Sequence, residues 1–149
     1  MNLKNVKFLN EFRRLPYPKN KMLIIGSGTL SLLGIRKNKD LDVWVTKDIF
    51  NKISKDKNFK PYTLASGDKG YNSSSGNIEV IDKLFNYKIE DQLKSAIIIY
   101  GIHFQSPEDI IEWKKEMGRP KDLQDIKQLE KFLQKKVVEN YLRVLQTLK

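Results

Sequence analysis

The 149-residue sequence contains no cysteine and a single histidine, His103. The first absence removes disulfides, thiolate zinc sites and cysteine nucleophiles together. One histidine leaves no basis for a histidine-rich metal site or a Ser-His-Asp triad. No apolar run approaches the roughly 18 residues of a membrane span. The N-terminal "MNLKNVKFLNEF" lacks the apolar stretch and small-residue cleavage site of a signal peptide. These absences predict a cytoplasmic protein that makes no use of a membrane. The length suits one domain, 1–149, with a proper core of its own.

Positive charge, by contrast, is in excess. Lysine and arginine number 28 against 18 acidic residues, a formal net charge of +10. Such a balance invites a polyanion, nucleic acid above all. It is equally the product of a lysine-, asparagine- and isoleucine-rich composition that scatters cations over every wet face. No block of five or six like charges decides between the two.

Apolar spacing sets out the elements. Leu3, Val6, Leu9 and Phe12 recur at helical spacing over 3–15, ending before Pro16. Strands are predicted at 21–25, 41–45, 60–65 and 78–82, with two more around Gly101, and a short helix at 47–54. The composition of "GDKGYNSSSGN", 67–77, reads as a flexible loop. From Ser106 onward the pattern turns helical. Ser106, Pro107 and Asp109 form an S-x-x-D start, and further helices are expected over 121–133 and 137–148. Strands in the middle and helices at the end argue for an α+β fold, with a core at about 20–105 and a helical part at about 106–149.

Within that frame, "IIGSGTLSLLGIRKNKDLDVWV" (24–45) combines a glycine-rich turn with paired aspartates. The turn is neither a dinucleotide fingerprint, which needs glycine where Ser31 stands, nor a P-loop, which needs glycine where Leu33 stands. What remains is strand, Gly26-Ser27-Gly28, helix. This arrangement aims backbone N–H groups and the positive end of a helix at an anion. It also serves as a plain strand-to-helix turn with Ser27 as the N-cap. Asp40 and Asp42 lie on one strand face, with Leu41, Val43 and Val45 on the other. Their Cα atoms are about 6.5–7 Å apart, so both carboxylates can reach the same hard cations. A third carboxylate is expected on a neighbouring strand. If Ile78 and Val80 are core, Glu79 faces the open side, whereas Asp82 falls past the strand end; Glu79 is the preferred candidate.

Together these residues resemble the DNA polymerase beta-like nucleotidyltransferase superfamily, in which a Gly-Ser opening a helix precedes an Asp-x-Asp strand and a later acidic residue. Here Asp40-Leu41-Asp42 begins thirteen residues after Ser27. The chain is most similar to the small prokaryotic branch of minimal nucleotidyltransferases and abortive-infection type toxins, through "GIR…KDLDV" (34–43) and "EDIIEWKKEMGRPKDLQDI" (108–126). The resemblance spans about residues 20–133. It implies a mixed sheet backed by helices, with a helical C-terminal part closing over a nucleoside triphosphate. It also implies two Mg²⁺ ions (or Mn²⁺) on Asp40, Asp42 and Glu79, with Glu79 standing where many members have the shorter Asp. Gly26 and Ser27 would hold the triphosphate, Lys114 would contact phosphates, and Lys121 and Asp122 would stand at the site's edge. Lys114 could instead lay its stem over Trp113 and Ile110, and Arg119, Lys121 and Asp122 could be helix-capping charges. The implied activity is transfer of a nucleoside monophosphate to a hydroxyl on tRNA or other RNA, a protein or a small molecule. A catalytically weak RNA- or nucleotide-binding module, or the toxin half of a pair with a cognate antitoxin, is the alternative.

Overall fold

Short apolar runs, continuous in Met22–Ile25 and alternating in Ile78–Ile81, punctuate residues 22–104, and there the chain builds one mixed sheet of seven strands. A computed structural model describes residues 1–148. The strands are β1 (Met22–Ile25), β2 (Leu41–Val45), β3 (Phe59–Thr63), β4 (Lys69–Ser73), β5 (Ile78–Ile81), β6 (Ile97–Ile99) and β7 (Ile102–Phe104). Their order across the sheet is β3-β4-β5-β2-β1-β7-β6. β2 pairs parallel with β5 and β1 parallel with β7, while the remaining neighbours are antiparallel. Six helices accompany them: α1 (Leu9–Arg13), α2 (Ser27–Leu32), α3 (Lys47–Ile53), α4 (Ile89–Ser95), α5 (Pro107–Met117) and α6 (Pro120–Thr147). The fold is α+β. It divides into two compact units, Met1–Ser106 with the whole sheet, and the α5–α6 pair beginning at Pro107. No helix among the described residues is long and apolar enough to cross a membrane.

One face of the sheet carries the core of the first unit. Met22, Ile24, Leu41, Val43, Val45, Ile78, Val80, Tyr71 and Phe104 form a single buried cluster with Val6, Leu9 and Phe12 from the N-terminal segment, Leu32 from α2, and Ile49 and Ile53 from α3. Strand periodicity then sends Asp42, Glu79 and Asn72 to the opposite face.

Four expectations from the sequence are corrected. The 3–15 segment is not one helix: a 3-10 turn at Leu3–Asn5 is separated from α1 by Phe8 in the left-handed region, φ 68°. The physical reason is Asn38. Its side-chain amide takes both backbone groups of Lys7, accepting from the N–H at 3.0 Å and donating to the carbonyl at 3.1 Å, which a continuous helix would have used internally. The 67–77 segment is not a loop throughout, because β4 occupies Lys69–Ser73, with both edges paired and Tyr71 in the core. The last two helices are one, α6, since nothing between 134 and 136 breaks a helix. Finally, α4 has no counterpart among the expected elements.

Gly28 fixes how closely α2 lies on the sheet. A Cβ there would fall 2.3 Å from Ile24 Cγ2 and 3.2 Å from Leu41 Cδ1, both on fully buried side chains. Gly28→Ala is therefore expected to destabilise the protein by about 1–3 kcal/mol through overpacking, seen as a lower urea midpoint at unchanged slope. An unchanged midpoint would mean that α2 lifts from the sheet at no cost.

Candidate functional site

The site is laid out by register. Asp42 sits opposite Ile25 on β1 and beside Glu79 on β5. Asp40 precedes β2 by one residue, and its carbonyl accepts a 3.0 Å hydrogen bond from the Asn38 amide. Asn38 is 1% exposed and also holds the N-terminal segment, so one buried side chain fixes the approach to the aspartate pair. The outcome is a group in which Asp40, Asp42 and Glu79 each place a carboxylate oxygen within 4.8 Å of the others. All three are half-buried. At such separations each like-charged pair costs on the order of 1–4 kcal/mol, depending on how much water screens it. A hard divalent cation between them reverses the sign of that interaction. The all-oxygen donor set suits Mg²⁺, Mn²⁺ or Ca²⁺ rather than a soft metal. Asp82 lies just past the end of β5 and outside this group.

The Gly26-Ser27 turn leaves β1 one residue beyond Ile25, and hence beside the aspartate pair. Gly26, with φ 59°, is itself the N-cap residue, and Ser27 is the first residue of α2. The Ser27 hydroxyl caps nothing. The Gly26 N–H is already used: it donates to Gln105 Oε1 at 3.0 Å, and Gln105 Nε2 donates to Gln92 Oε1 at 2.9 Å. The Thr29 hydroxyl donates to the Gln105 carbonyl at 2.9 Å. This buried amide relay stiffens the turn.

Tyr62 is the residue that sequence reasoning missed. It faces Gly70 across the β3–β4 ladder, and a Cβ on Gly70 would lie 2.7 Å from the ring and 2.9 Å from the hydroxyl. The ring therefore rests across the bare glycine, on the face that carries the carboxylates. Burial, followed by the charges of Glu79, Asp42 and Asp40, pushes its phenol up to about 12. At neutral pH it is a firmly protonated donor. The signal lay in the shared parity of Lys60 and Tyr62, but it becomes legible only once β4 is known to be a strand.

Lys114, Lys121 and Asp122 belong to the second unit. Lys114 is 5% exposed and pairs with Asp122 at 3.2 Å and Asp125 at 3.0 Å, with its ammonium 5.6 Å from the centre of the Trp113 ring. Asp122 also accepts from Arg119 Nε at 2.6 Å and from the Arg119 backbone, closing a capping box at the start of α6. Burial by itself would raise the Asp122 carboxyl, but the hydrogen bonds from Arg119 and Lys114 outweigh it and hold the group below its ordinary value. Lys121 is exposed.

A depressed carboxylate stabilises the folded state above its unfolded value and loses that contribution as pH falls through the folded one. Asp122→Ala should thus cost toward the low end of about 3–5 kcal/mol at pH 7, because Asp125 still faces Lys114. The gap from the wild type should narrow as pH drops below 3.8, the ordinary aspartate value. A pH-independent gap would assign the loss to packing. For the carboxylate group, Mg²⁺ or Mn²⁺ at a hundred times its Kd should add about 2.7 kcal/mol to unfolding, and Glu79→Gln should weaken that response. A metal response unchanged in Glu79→Gln would place the ion elsewhere. No family model, curated protein or solved structure matches the chain, and the chemistry of this site accordingly stands on its own geometry.

Proposed function

We propose that the chain is a metal-dependent nucleotidyltransferase, moving a nucleoside monophosphate from a nucleoside triphosphate to a hydroxyl acceptor with release of pyrophosphate. The observation that carries this reading is the convergence of Asp40, Asp42 and Glu79 within 4.8 Å, from neighbouring strands, beside a stiffened Gly-Ser turn. The sequence resemblance to the DNA polymerase beta-like superfamily, carried by Gly26-Ser27 and Asp40-Leu41-Asp42, supports the same reading.

Asp40, Asp42 and Glu79 are the residues that would hold Mg²⁺ or Mn²⁺. Bound there, such ions supply charge neutralisation for the entering and leaving oxygens of a phosphoryl transfer. The remaining work falls to the chain. The Ser27 hydroxyl donates to the triphosphate on the β1 side of the aspartates, from a turn that the Gln105–Gln92 relay keeps from moving. Glu79, on the other side, accepts the proton of the acceptor hydroxyl. The acceptor oxygen forms a bond to the α-phosphorus as the bond from that phosphorus to the α–β bridging oxygen breaks, and pyrophosphate carries the electron pair away. Positioning and charge compensation supply most of the rate in such chemistry. Lys114 is committed to Asp122 and Asp125, so in this reading its role is to hold α5 to α6.

The test is Asp42→Asn, which preserves volume and removes one metal-holding charge. Metal stabilisation of the transition state is worth several kcal/mol. At about 1.36 kcal/mol per tenfold, transfer should fall on the order of a thousandfold or more. Circular dichroism should remain that of the wild type, and metal-free stability should be equal or slightly higher, because one of three repelling charges is gone. An unfolded variant would make the pair structural. A folded variant with the wild-type rate would place the chemistry elsewhere.

A further inference from the structure

The two helices of the second unit are unequal. α6 has 28 residues and α5 has 11, so at about 1.5 Å per residue they are about 42 Å and about 16 Å long. Burial along α6 follows that difference. Asp122, Asp125, Ile126 and Leu129 are buried, Phe132 and Leu133 are half-buried, and every residue from Gln134 to Leu148 is exposed. Yet the exposed stretch is not patterned for water on all sides. Val137, Tyr141, Val144 and Leu148 recur at spacings of four, three and four, with Val138, Leu142 and Leu145 beside them. At about 100° per residue these side chains share an arc of about 160°, and Lys135, Lys136, Glu139 and Arg143 all stand about 100° or more from its centre. The apolar residues of the arc are between 39% and 76% exposed. Together they leave on the order of 700 Å² on one face, beyond the roughly 300–600 Å² of the largest apolar patch on a typical monomer. A helix of about 12–15 residues with nothing against its apolar side is marginal in water. This stretch calls for a partner.

The spacing indicates which partner. Four, three, four reads the same in both directions, so the row is complementary to itself when reversed. About a twofold axis between residues 142 and 143, Val137 meets the partner's Leu148 and Tyr141 meets the partner's Val144. We infer that this face of α6 packs antiparallel against the same face of a second copy of the chain, forming a twofold dimer. Such a contact needs one patch that matches itself, and this row supplies it. The area agrees, since on the order of 700 Å² approaches the roughly 800 Å² that each partner contributes to a standard interface. Valine and leucine at alternating four- and three-residue steps are the side chains that interdigitate between paired helices. An antiparallel pair also brings the positive end of one helix beside the negative end of the other. A net charge of +10 per chain opposes self-association, and the face answers it by keeping its cations away from the centre of the contact. Its borders are Asn140 and Thr147 on one side, Lys135 and Gln146 on the other. With one cation among those four, the face is a poor match for an anionic lipid surface. The inference is independent of the chemistry at the carboxylates.

The experiment is sedimentation equilibrium of the full chain, with disulfide trapping beside it. The wild type should sediment with twice the chain mass of 17.5 kDa. Tyr141→Glu and Val144→Glu should each shift it toward the monomer. A substitution acts twice in a twofold contact, so a tenfold loss per copy becomes about a hundredfold in the dimer Kd. Glu139→Gln, on the far side of the helix, should leave the mass unchanged. The cysteine test adds no charge and reads the direction of the helices, in a chain with no cysteine of its own. Under mild oxidation, Val137→Cys chains mixed with Leu148→Cys chains should crosslink to each other. Val137→Cys alone should not, because an antiparallel pair sets its two copies about 16 Å apart along the axis, beyond the roughly 7 Å that a disulfide spans. A wild type that stays monomeric at every concentration overturns the inference, and binding of that monomer to phosphatidylserine vesicles would give the face to a lipid surface. A dimer that survives Tyr141→Glu and Val144→Glu also overturns it, by placing the contact elsewhere. Crosslinking of Val137→Cys to itself would overturn the antiparallel pairing in favour of a parallel one.

Discussion

The in-register parallel pairing of β2 with β5 is the constraint on which the site depends. Asp42 lies beside Glu79 and Val43 beside Val80, so two carboxylates share one face while two valines share the other. A slip of one residue would exchange them, setting Glu79 against Val43, Val45 and Ile24 in the core. Burying an unpaired carboxylate there would cost far more than the few kcal/mol by which a domain is stable. The apolar face thus enforces the register, and the register assembles the acidic face. Core packing and site geometry are two consequences of one alternation.

Around this pairing the chain places rigid supports rather than mobile ones. Asn38 ties the Lys7 backbone to the Asp40 carbonyl, so the same buried amide shapes the N-terminal segment and the first site residue. Gln105 follows β7 and reaches the Gly26 turn, linking a distant part of the chain to the end of β1. Gly28 lets α2 sit against Ile24 and Leu41 at a distance no other residue permits. Each support is a short polar or glycine contact whose partners are far apart in sequence. Side chains held in this way have little conformational freedom left to lose when a ligand arrives.

Much of this was legible in the sequence, for reasons that can be traced to particular residues. Leu41, Val43 and Val45 share one face of "LDVWV", so β2 and the opposite placing of Asp42 follow from period two, although Trp44 is buried on the Asp42 side. Ile78 and Val80 set the parity that turns Glu79 outward, and the structure places it beside Asp42. The glycine and serine content of 69–73 hid β4, because Gly70 and Asn72 are suited to what lies across from them rather than to strand propensity. With β4 hidden, neither the neighbour of Glu79 nor the reach of Tyr62 could be seen. The break at Phe8 was equally invisible, since it depends on Asn38, thirty residues away. Local pattern carried the elements that are self-sufficient. Long-range hydrogen bonds carried the rest.

The central claim is that these carboxylates direct a nucleotide's α-phosphorus to an acceptor hydroxyl. It is tested most directly by following the label from nucleoside triphosphates carrying ³²P at either the α or the γ position, with Mg²⁺ and a whole-cell extract that supplies RNA, protein and small-molecule acceptors. The prediction is that the α-label becomes covalently attached to an acceptor while the γ-label is released entirely as pyrophosphate. Attachment of the γ-label, or of neither label by a protein that binds both metal and nucleotide, would contradict it.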